Sequence, residues 1–175
     1  MPGALLMIDL QIDFLSRRGR LPISADHVGE VLCAANEAAV NAQERGWPIA
    51  AIGNEFRKSA VLANLLRNFA AQRGSAGAKW DPRAPQQVEA YFAKRSADAF
   101  SNPELDRWLR HKRVTSIHLC GVMAGACVAA TAKAGLKLGY EVKLIERGIG
   151  AQSARSRLKA LEQLLALGCT LSDLA

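Results

Sequence analysis

The sequence lacks the patterns that mark several common classes of protein. No apolar run reaches ~18 residues, the length that a membrane-spanning helix needs, and the first residues show no basic leader before their short apolar run. The 4 cysteines form no Cys-x-x-Cys pair, and the 3 histidines are scattered rather than set at metal-ligand spacing. We therefore expect a cytoplasmic protein with no membrane segment, no disulfide framework, no metal and no cofactor.

Internal repeats, low-complexity tracts and linkers are also missing, so the 175 residues are expected to form one domain, residues 1–175. The hydrophobic share of 50% is enough for a core without covalent staples. The net charge is +7, but the densest basic groups, residues 17–20 and 155–159, are not interleaved with aromatic side chains that stack bases. Solvated surface charge is therefore favoured over nucleic-acid binding.

Short apolar runs alternate with amphipathic stretches along the chain. The runs predict strands over residues 4–9, 48–53, 91–93, 114–119, 141–145 and 169–171. The amphipathic stretches predict helices from residue 28 to near 46, over 61–69, from 103 after the Asn102 cap, over 126–138, and from the Ser153 cap to Gly168. Alternation of this kind predicts an α/β fold of three layers, a doubly wound parallel sheet of six strands flanked by helices.

In such sheets the active site lies outside the carboxyl ends of the strands. The segment from Leu119 to Val128 reads as a strand, a glycine-rich turn and a helix, with Cys127 near the helix N-terminus. Backbone N–H groups and the helix dipole there stabilise a thiolate, and the same N–H groups can hold an oxyanion. The alternative is a small buried cysteine that packs like alanine. A phosphate-binding loop is disfavoured because its glycine and lysine spacings are absent.

Two charged residues also follow predicted strands. Asp9 ends the first buried run, where a carboxylate is costly unless it has a partner or a task, and Lys94 ends the third run. A turn aspartate and a solvated strand-end lysine are the alternatives, and a structural role is favoured for the nearby Asp13. If the strands end on one edge, Asp9, Lys94 and Cys127 converge into an acid, a cation and a thiol, which suits hydrolysis.

Four stretches in this order resemble the isochorismatase-like cysteine hydrolases, the superfamily that includes nicotinamidases, N-carbamoylsarcosine amidases and ureidoacrylate amidohydrolases. The stretches are residues 7–14, residues 92–100, residues 119–128, and residues 131–134 with 139–142. The resemblance implies a catalytic triad of Asp9, Lys94 and Cys127. It also implies a cis peptide between Val122 and Met123, with the N–H groups of Met123 and Cys127 as the oxyanion hole. Relatives of this kind self-associate, so a homo-oligomer is expected.

The chain departs from the superfamily pattern at two places. Nicotinamidases bind a metal through an Asp-x-His pair and a later histidine, but the equivalent stretch here, residues 52–57, has no histidine. This departure argues against a metal and against nicotinamidase activity. Ala124 stands where a threonine is frequent, which changes the hydrogen bonding expected around the turn.

The predicted function is hydrolysis of a C–N bond in a small amide, carbamoyl or ureido substrate through a thioester. A small planar substrate is expected to be surrounded by Phe14, Asn54, Phe56, Trp80 and Met123, although ordinary packing at the rim explains these residues equally well. One rival is an isochorismatase-type vinyl-ether hydrolase, whose acid catalysis needs no cysteine. A second rival is a non-catalytic scaffold or binding protein with the same fold.

Overall fold

The computed structural model describes residues 2–57, 59 and 61–175, apart from the side chain of Ala63. The strands are β1 (Gly3–Ile8), β2 (Ile49–Asn54), β3 (Ala90–Lys94), β4 (Ser116–Val122), β5 (Glu141–Gly150) and β6 (Thr170–Leu171). The helices are α1 (Ile12–Leu15), α2 (Ala25–Glu44), α3 (Val61–Leu66), α4 (Pro103–His111), α5 (Ala129–Lys137) and α6 (Ala154–Ala166). These elements confirm the predicted α/β fold.

The six strands form one parallel sheet in the order β3-β2-β1-β4-β5-β6. The chain winds outward from β1 to β3 on one side, then returns to β4 beside β1 and winds outward to β6. The strand order therefore reverses between β1 and β4, which opens a crevice at their carboxyl ends.

Side chains that alternate along β1 enter two separate cores. Leu6 and Ile8 pack in the core that α4, α5 and α6 cover, whereas Leu5 and Met7 pack in the core that α2 covers. All six residues of β1 are buried, which explains why the strand reads as a continuous apolar run. With both faces of the sheet covered by helices, the carboxyl ends of the strands are where polar side chains can meet the crevice.

The predicted helix starts at Asn102 and Ser153 are confirmed. Asn102 accepts a hydrogen bond from the Glu104 N–H, with Pro103 in the first turn, and Ser153 accepts one from the Ser156 N–H. Each cap bond joins residues two or three positions apart, so the local sequence was enough to predict both caps.

Several predicted bounds differ from the structure by a few residues; β4, for example, is Ser116–Val122 rather than 114–119. Two of the differences have a clear physical cause. The helix predicted over residues 61–69 ends at Leu66, because Asn68 and Phe69 take left-handed backbone conformations with φ of 50° and 57°. Its apolar residues do not enter the core: Val61, Leu62, Leu65 and Leu66 are 62–84% exposed. The fifth strand runs to Gly150 rather than 145, because β5 continues beside β4 after a register shift. Among the described residues, none of the helices combines the length and apolar character that a membrane span requires.

Candidate active site

Three neighbouring strands end in polar residues whose side chains are buried together. Asp9 follows β1, Asn54 ends β2 and Lys94 ends β3, and Asn54 is paired with Lys94 in the sheet register. Asp9 has a φ of 54°, a left-handed conformation that aspartate adopts more readily than most residues, while its N–H still donates to the Ile52 carbonyl at 2.8 Å. The chain therefore turns at Asp9 without losing its backbone partner.

Asp9 and Lys94 form a fully buried ion pair. The Lys94 Nζ lies 2.9 Å from the Asp9 Oδ2, and the two side chains are 0% and 1% exposed. Lys94 also donates to the Asn54 Oδ1 at 2.8 Å and to the Ser96 carbonyl at 3.2 Å, so all three ammonium protons have acceptors. A buried pair is tolerated only when its remaining hydrogen-bonding capacity is satisfied in this way.

Asn54 connects the three candidate catalytic residues. Its Nδ2 lies 2.7 Å from the Asp9 Oδ2 and 3.6 Å from the Cys127 Sγ, while its Oδ1 accepts from Lys94. Its backbone N–H donates to the Asp9 Oδ1 at 3.0 Å. Sequence reasoning placed Asn54 in the substrate pocket only. The strand order also places Asn54 between Asp9 and Lys94, because β2 lies between β1 and β3.

Gln11 is a further buried residue of this network, and sequence reasoning missed it. Its Oε1 accepts from the Asn54 N–H at 3.0 Å, and its Nε2 donates to the carbonyls of Asn54 at 2.9 Å and Ala78 at 2.6 Å. Gln11 thereby ties the end of β2 to the loop before Trp80. Its place two residues after Asp9 was the only signal in the sequence.

Cys127 lies beside Asn54 and Asp9, on the segment that follows β4 on the other side of the crevice. After β4, residues 124–128 form one π-helical turn, and α5 continues from it. The approach requires glycine at position 121, where φ is 122° and a Cβ atom would collide with the Ile8 carbonyl of β1. Cys127 is half-buried, and its Sγ accepts a hydrogen bond at 3.6 Å from the Asn54 Nδ2, beside the Asp9 carboxyl group whose charge acts on the thiol. The acid, amine and thiol thus lie in mutual reach at one edge.

Burial dominates the electrostatics of this group. It raises the pKa of the Asp9 carboxyl, against the lowering effects of Lys94, Cys127 and Asn54. Burial also raises the pKa of the Cys127 thiol to about 11, and the Asp9 charge adds to the rise while Lys94 and Asn54 oppose it. The sulfur at neutral pH is therefore a thiol, rather than the thiolate that a helix N-terminus favours. A proton acceptor is needed before it can attack.

A cavity of about 230 Å³ opens beside the thiol. Its polar lining comes from Asp9, Asn54, Arg67 and Cys127, and its apolar lining from Phe14, Leu21, Phe56, Ala97, Val122, Met123 and Ala126. Four of the five residues predicted to surround a substrate, Phe14, Asn54, Phe56 and Met123, lie here. The Val122–Met123 peptide is cis, as the resemblance implied.

The structure corrects the expectation for Trp80. This side chain lines a different cavity, together with Glu55, Lys79 and Tyr91. Its backbone pairs with Gln11, and its indole N–H donates to the Pro85 carbonyl at 3.0 Å. Turn residues around a tryptophan do not reveal the direction of its ring.

Asp13 has the structural role that the sequence favoured. Its Oδ2 accepts from the Ala71 N–H at 2.8 Å and its Oδ1 from the Arg20 N–H at 3.2 Å. These bonds fasten two loops to α1, beside the cavity but outside the ion pair.

The stretch that carries metal ligands in nicotinamidases does not fit a metal here. Asn54 is engaged with Asp9 and Lys94, and Glu55 faces Arg73 at 3.7 Å and the Tyr91 hydroxyl at 3.5 Å. Across the described part of the chain, no three histidine, cysteine or acidic side chains gather as a metal-binding group.

Solved structures with this fold include two amidases. The nicotinamidase of Bacillus subtilis matches with a TM-score of 0.88 at 19% identity, over 99% of this chain and 100% of that chain. The N-carbamoylsarcosine amidase of Thermoplasma acidophilum matches with a TM-score of 0.83 at 18% identity, over 98% and 96% of the two chains. At these identities the likeness shows the fold, which is that of the isochorismatase-like α/β proteins.

The sequence comparisons agree with the fold. Residues 3–175 match the isochorismatase domain, so the chain belongs to the isochorismatase family. Streptothricin hydrolase from Streptomyces noursei is 29% identical over 141 residues, an alignment that covers 81% of this chain. The same alignment covers 47% of that relative, so this chain spans about half of its length.

Proposed function

We propose that this protein is a cysteine hydrolase that cleaves the C–N bond of a small amide, carbamoyl or ureido substrate. The observation that carries the proposal is that Asp9 and Cys127 lie on the wall of a small cavity, where Asn54 links both of them to Lys94 by hydrogen bonds. A thiol with a raised pKa beside a carboxylate with a raised pKa is a matched donor and acceptor of one proton. The amidases and the hydrolase named above are consistent with this chemistry.

In the proposed reaction, the Asp9 carboxylate takes the thiol proton while the Cys127 sulfur adds to the substrate carbonyl carbon. The backbone N–H groups of Met123 and Cys127, both residues of the cavity wall, are the proposed donors to the oxyanion. The C–N bond then breaks and the leaving amine takes the proton from Asp9. This leaves an acyl group on the sulfur as a thioester.

The second half of the reaction uses the same groups. Asp9 takes a proton from water, the hydroxide adds to the thioester carbonyl, and the C–S bond breaks. The sulfur regains its proton from Asp9, and the acid product leaves. Lys94 keeps the carboxylate oriented and ionised between steps, since its ammonium has no other counter-charge in the group.

The test is a panel of small amides, ureas and carbamoyl acids, assayed beside isochorismate with the wild type and Cys127→Ala. We expect a panel amide to be hydrolysed and an acid-quenched Cys127 peptide to carry the mass of its acyl group. Cys127→Ala should lose both signals, because Cys127 is the one thiol among the described residues of the cavity wall. Cys33→Ala is the matched control, since Cys33 is an exposed thiol on α2.

Two outcomes of this experiment contradict the proposal. Full amide hydrolysis by Cys127→Ala would exclude the thioester, and cleavage of isochorismate alone would favour vinyl-ether chemistry. A protein without turnover whose Cys127 forms no acyl adduct with any panel compound would favour a non-catalytic scaffold.

Asn54 gives a prediction about positioning. Replacing it with alanine removes the side-chain amide that is hydrogen-bonded to Asp9, Lys94 and Cys127 and keeps them in position. We expect Asn54→Ala to lower kcat by about 10- to 100-fold, because small displacements of reacting groups are that costly. KM should change less, and steady-state kinetics on a panel amide separate the two constants.

The control is Asn36→Ala, whose amide on α2 donates to the Leu32 and Arg83 carbonyls, away from the candidate site. It should leave kcat near the wild-type value. A wild-type kcat in Asn54→Ala would contradict the positioning role.

A further inference from the structure

The cavity beside Cys127 contains a cation that the proposed reaction does not use. Arg67 follows α3 and is the only arginine on the cavity wall among the described residues. Its guanidinium carbon lies 4.1 Å from the centre of the Phe56 ring, a cation–π contact with another residue of the same wall. The charge is therefore held at the cavity rather than extended into solvent.

No salt bridge among the described residues neutralises the charge of Arg67. Within the part of the chain that the structure describes, the arginines with a salt bridge are Arg45, Arg73, Arg83, Arg107, Arg110, Arg147 and Arg157, and Arg67 is not among them. Asp9, the acid of the cavity wall, is paired with Lys94. The cavity thus combines mainly apolar walls with one unpaired cation, an arrangement that favours an anionic group on the ligand.

The backbone that presents Arg67 is fixed from several sides. The Phe56 N–H donates to the Ala71 carbonyl at 3.0 Å, and the Ala71 N–H donates to the Asp13 Oδ2 at 2.8 Å. Directly after Arg67, Asn68 turns left-handed and its Nδ2 donates to the Arg20 carbonyl at 2.7 Å. A recognition group held in this way loses little freedom when it binds.

We propose that Arg67 selects the substrate by charge, so that the amide cleaved at Cys127 carries a carboxylate at its far end. The cavity volume of about 230 Å³ limits that molecule to a small one. The inference rests on the proposed amide hydrolysis for the bond that breaks, but the anion preference itself does not depend on turnover. Arg67 is a specificity-determining residue in this scheme, since the proton transfers belong to Asp9.

A pair of thiol reagents of similar size tests the preference without turnover. In both, the Cys127 sulfur bonds to the reagent's methylene carbon, iodide leaves and the thiol proton passes to solvent; iodoacetate is anionic and iodoacetamide is neutral. Peptide mass spectrometry gives the iodoacetate-to-iodoacetamide rate ratio at each cysteine of the intact protein. We expect this ratio to be about 10-fold higher at Cys127 than at the exposed Cys33.

The variants assign the preference to Arg67. Arg67→Gln should lower the Cys127 ratio to that of Cys33, Arg67→Lys should retain most of it, and Arg67→Glu should lower it further. Arg107→Gln, on the exposed face of α4, should leave it unchanged. A ratio at Cys127 equal to that at Cys33, an equal loss of both rates in Arg67→Gln, or a Cys127 that neither reagent modifies would overturn the proposal.

A substrate pair separates this inference from the proposed function. Succinamate carries a carboxylate and its methyl ester is neutral, so their kcat/KM values report charge selection at constant scaffold. A Cys127 anion preference without hydrolysis of any amide would leave the anion site standing and contradict the amidase. Hydrolysis of both amides at equal kcat/KM would support the amidase and contradict the selection of substrate charge by Arg67.

Discussion

Asp9→Asn is expected to reduce amide hydrolysis by about 100- to 10,000-fold, the contribution that a positioned general base makes. The asparagine keeps nearly the same shape but cannot take the thiol proton. Without that transfer the sulfur remains protonated at neutral pH, because burial, the largest cause of the raised pKa of the Cys127 thiol, is unchanged by the substitution. Initial rates on a panel amide, at equal concentrations of folded protein, measure the loss.

The pH profile distinguishes loss of the base from a general disturbance. In the wild type, activity should fall as the pH decreases through the raised pKa of Asp9, because the protonated acid accepts no proton. In Asp9→Asn that decline should disappear, and the residual rate should instead climb with pH as the buried thiol ionises unaided. Asp173→Asn, which alters an exposed acid paired with Arg45, is the matched control and should keep the wild-type profile. A wild-type profile in Asp9→Asn would exclude the carboxylate as the base.

Lys94→Met should lower the free energy of unfolding by about 3–5 kcal/mol, the cost of leaving a buried charge without its partner. The Lys94 side chain is 0% exposed, and its ammonium donates to Asp9, Asn54 and the Ser96 carbonyl. Its removal therefore takes one hydrogen-bond donor from each of these three acceptors. The Asp9 carboxyl loses the neighbour that favours its ionised form, and activity should fall with stability. Chemical denaturation followed by circular dichroism measures the change.

Two further variants test whether the pairing is the cause. Asp9→Asn combined with Lys94→Met removes both charges and should recover much of the lost stability, because a neutral buried pair leaves no uncompensated ion. Arg45→Met breaks the exposed pair with Asp173 and should cost less than about 1 kcal/mol. A Lys94→Met protein as stable as Arg45→Met would contradict a desolvated pair.

The candidate triad was predictable because its members stand at recognisable places in the chain. Asp9 and Lys94 follow apolar runs, and Cys127 follows a glycine-rich turn. Parallel strands all end on the same edge, so residues that follow strands meet without any knowledge of side-chain packing. Asn54 and Gln11 were not recognised as members of the network, because their roles depend on the strand order, in which β2 separates β1 from β3.

Local patterns were sufficient for the alternation of strands and helices, the helix caps and the position of the thiol, because each depends on neighbours within a few residues. Long-range packing decided the rest: the exposed apolar side of α3, the direction of Trp80, and the placement of Arg67 over Phe56 beside the thiol. Packing also decided the charge state of the sulfur. A helix start favours a thiolate, but burial beside a carboxylate keeps the proton on Cys127, and solvent exclusion is a property of the folded chain alone.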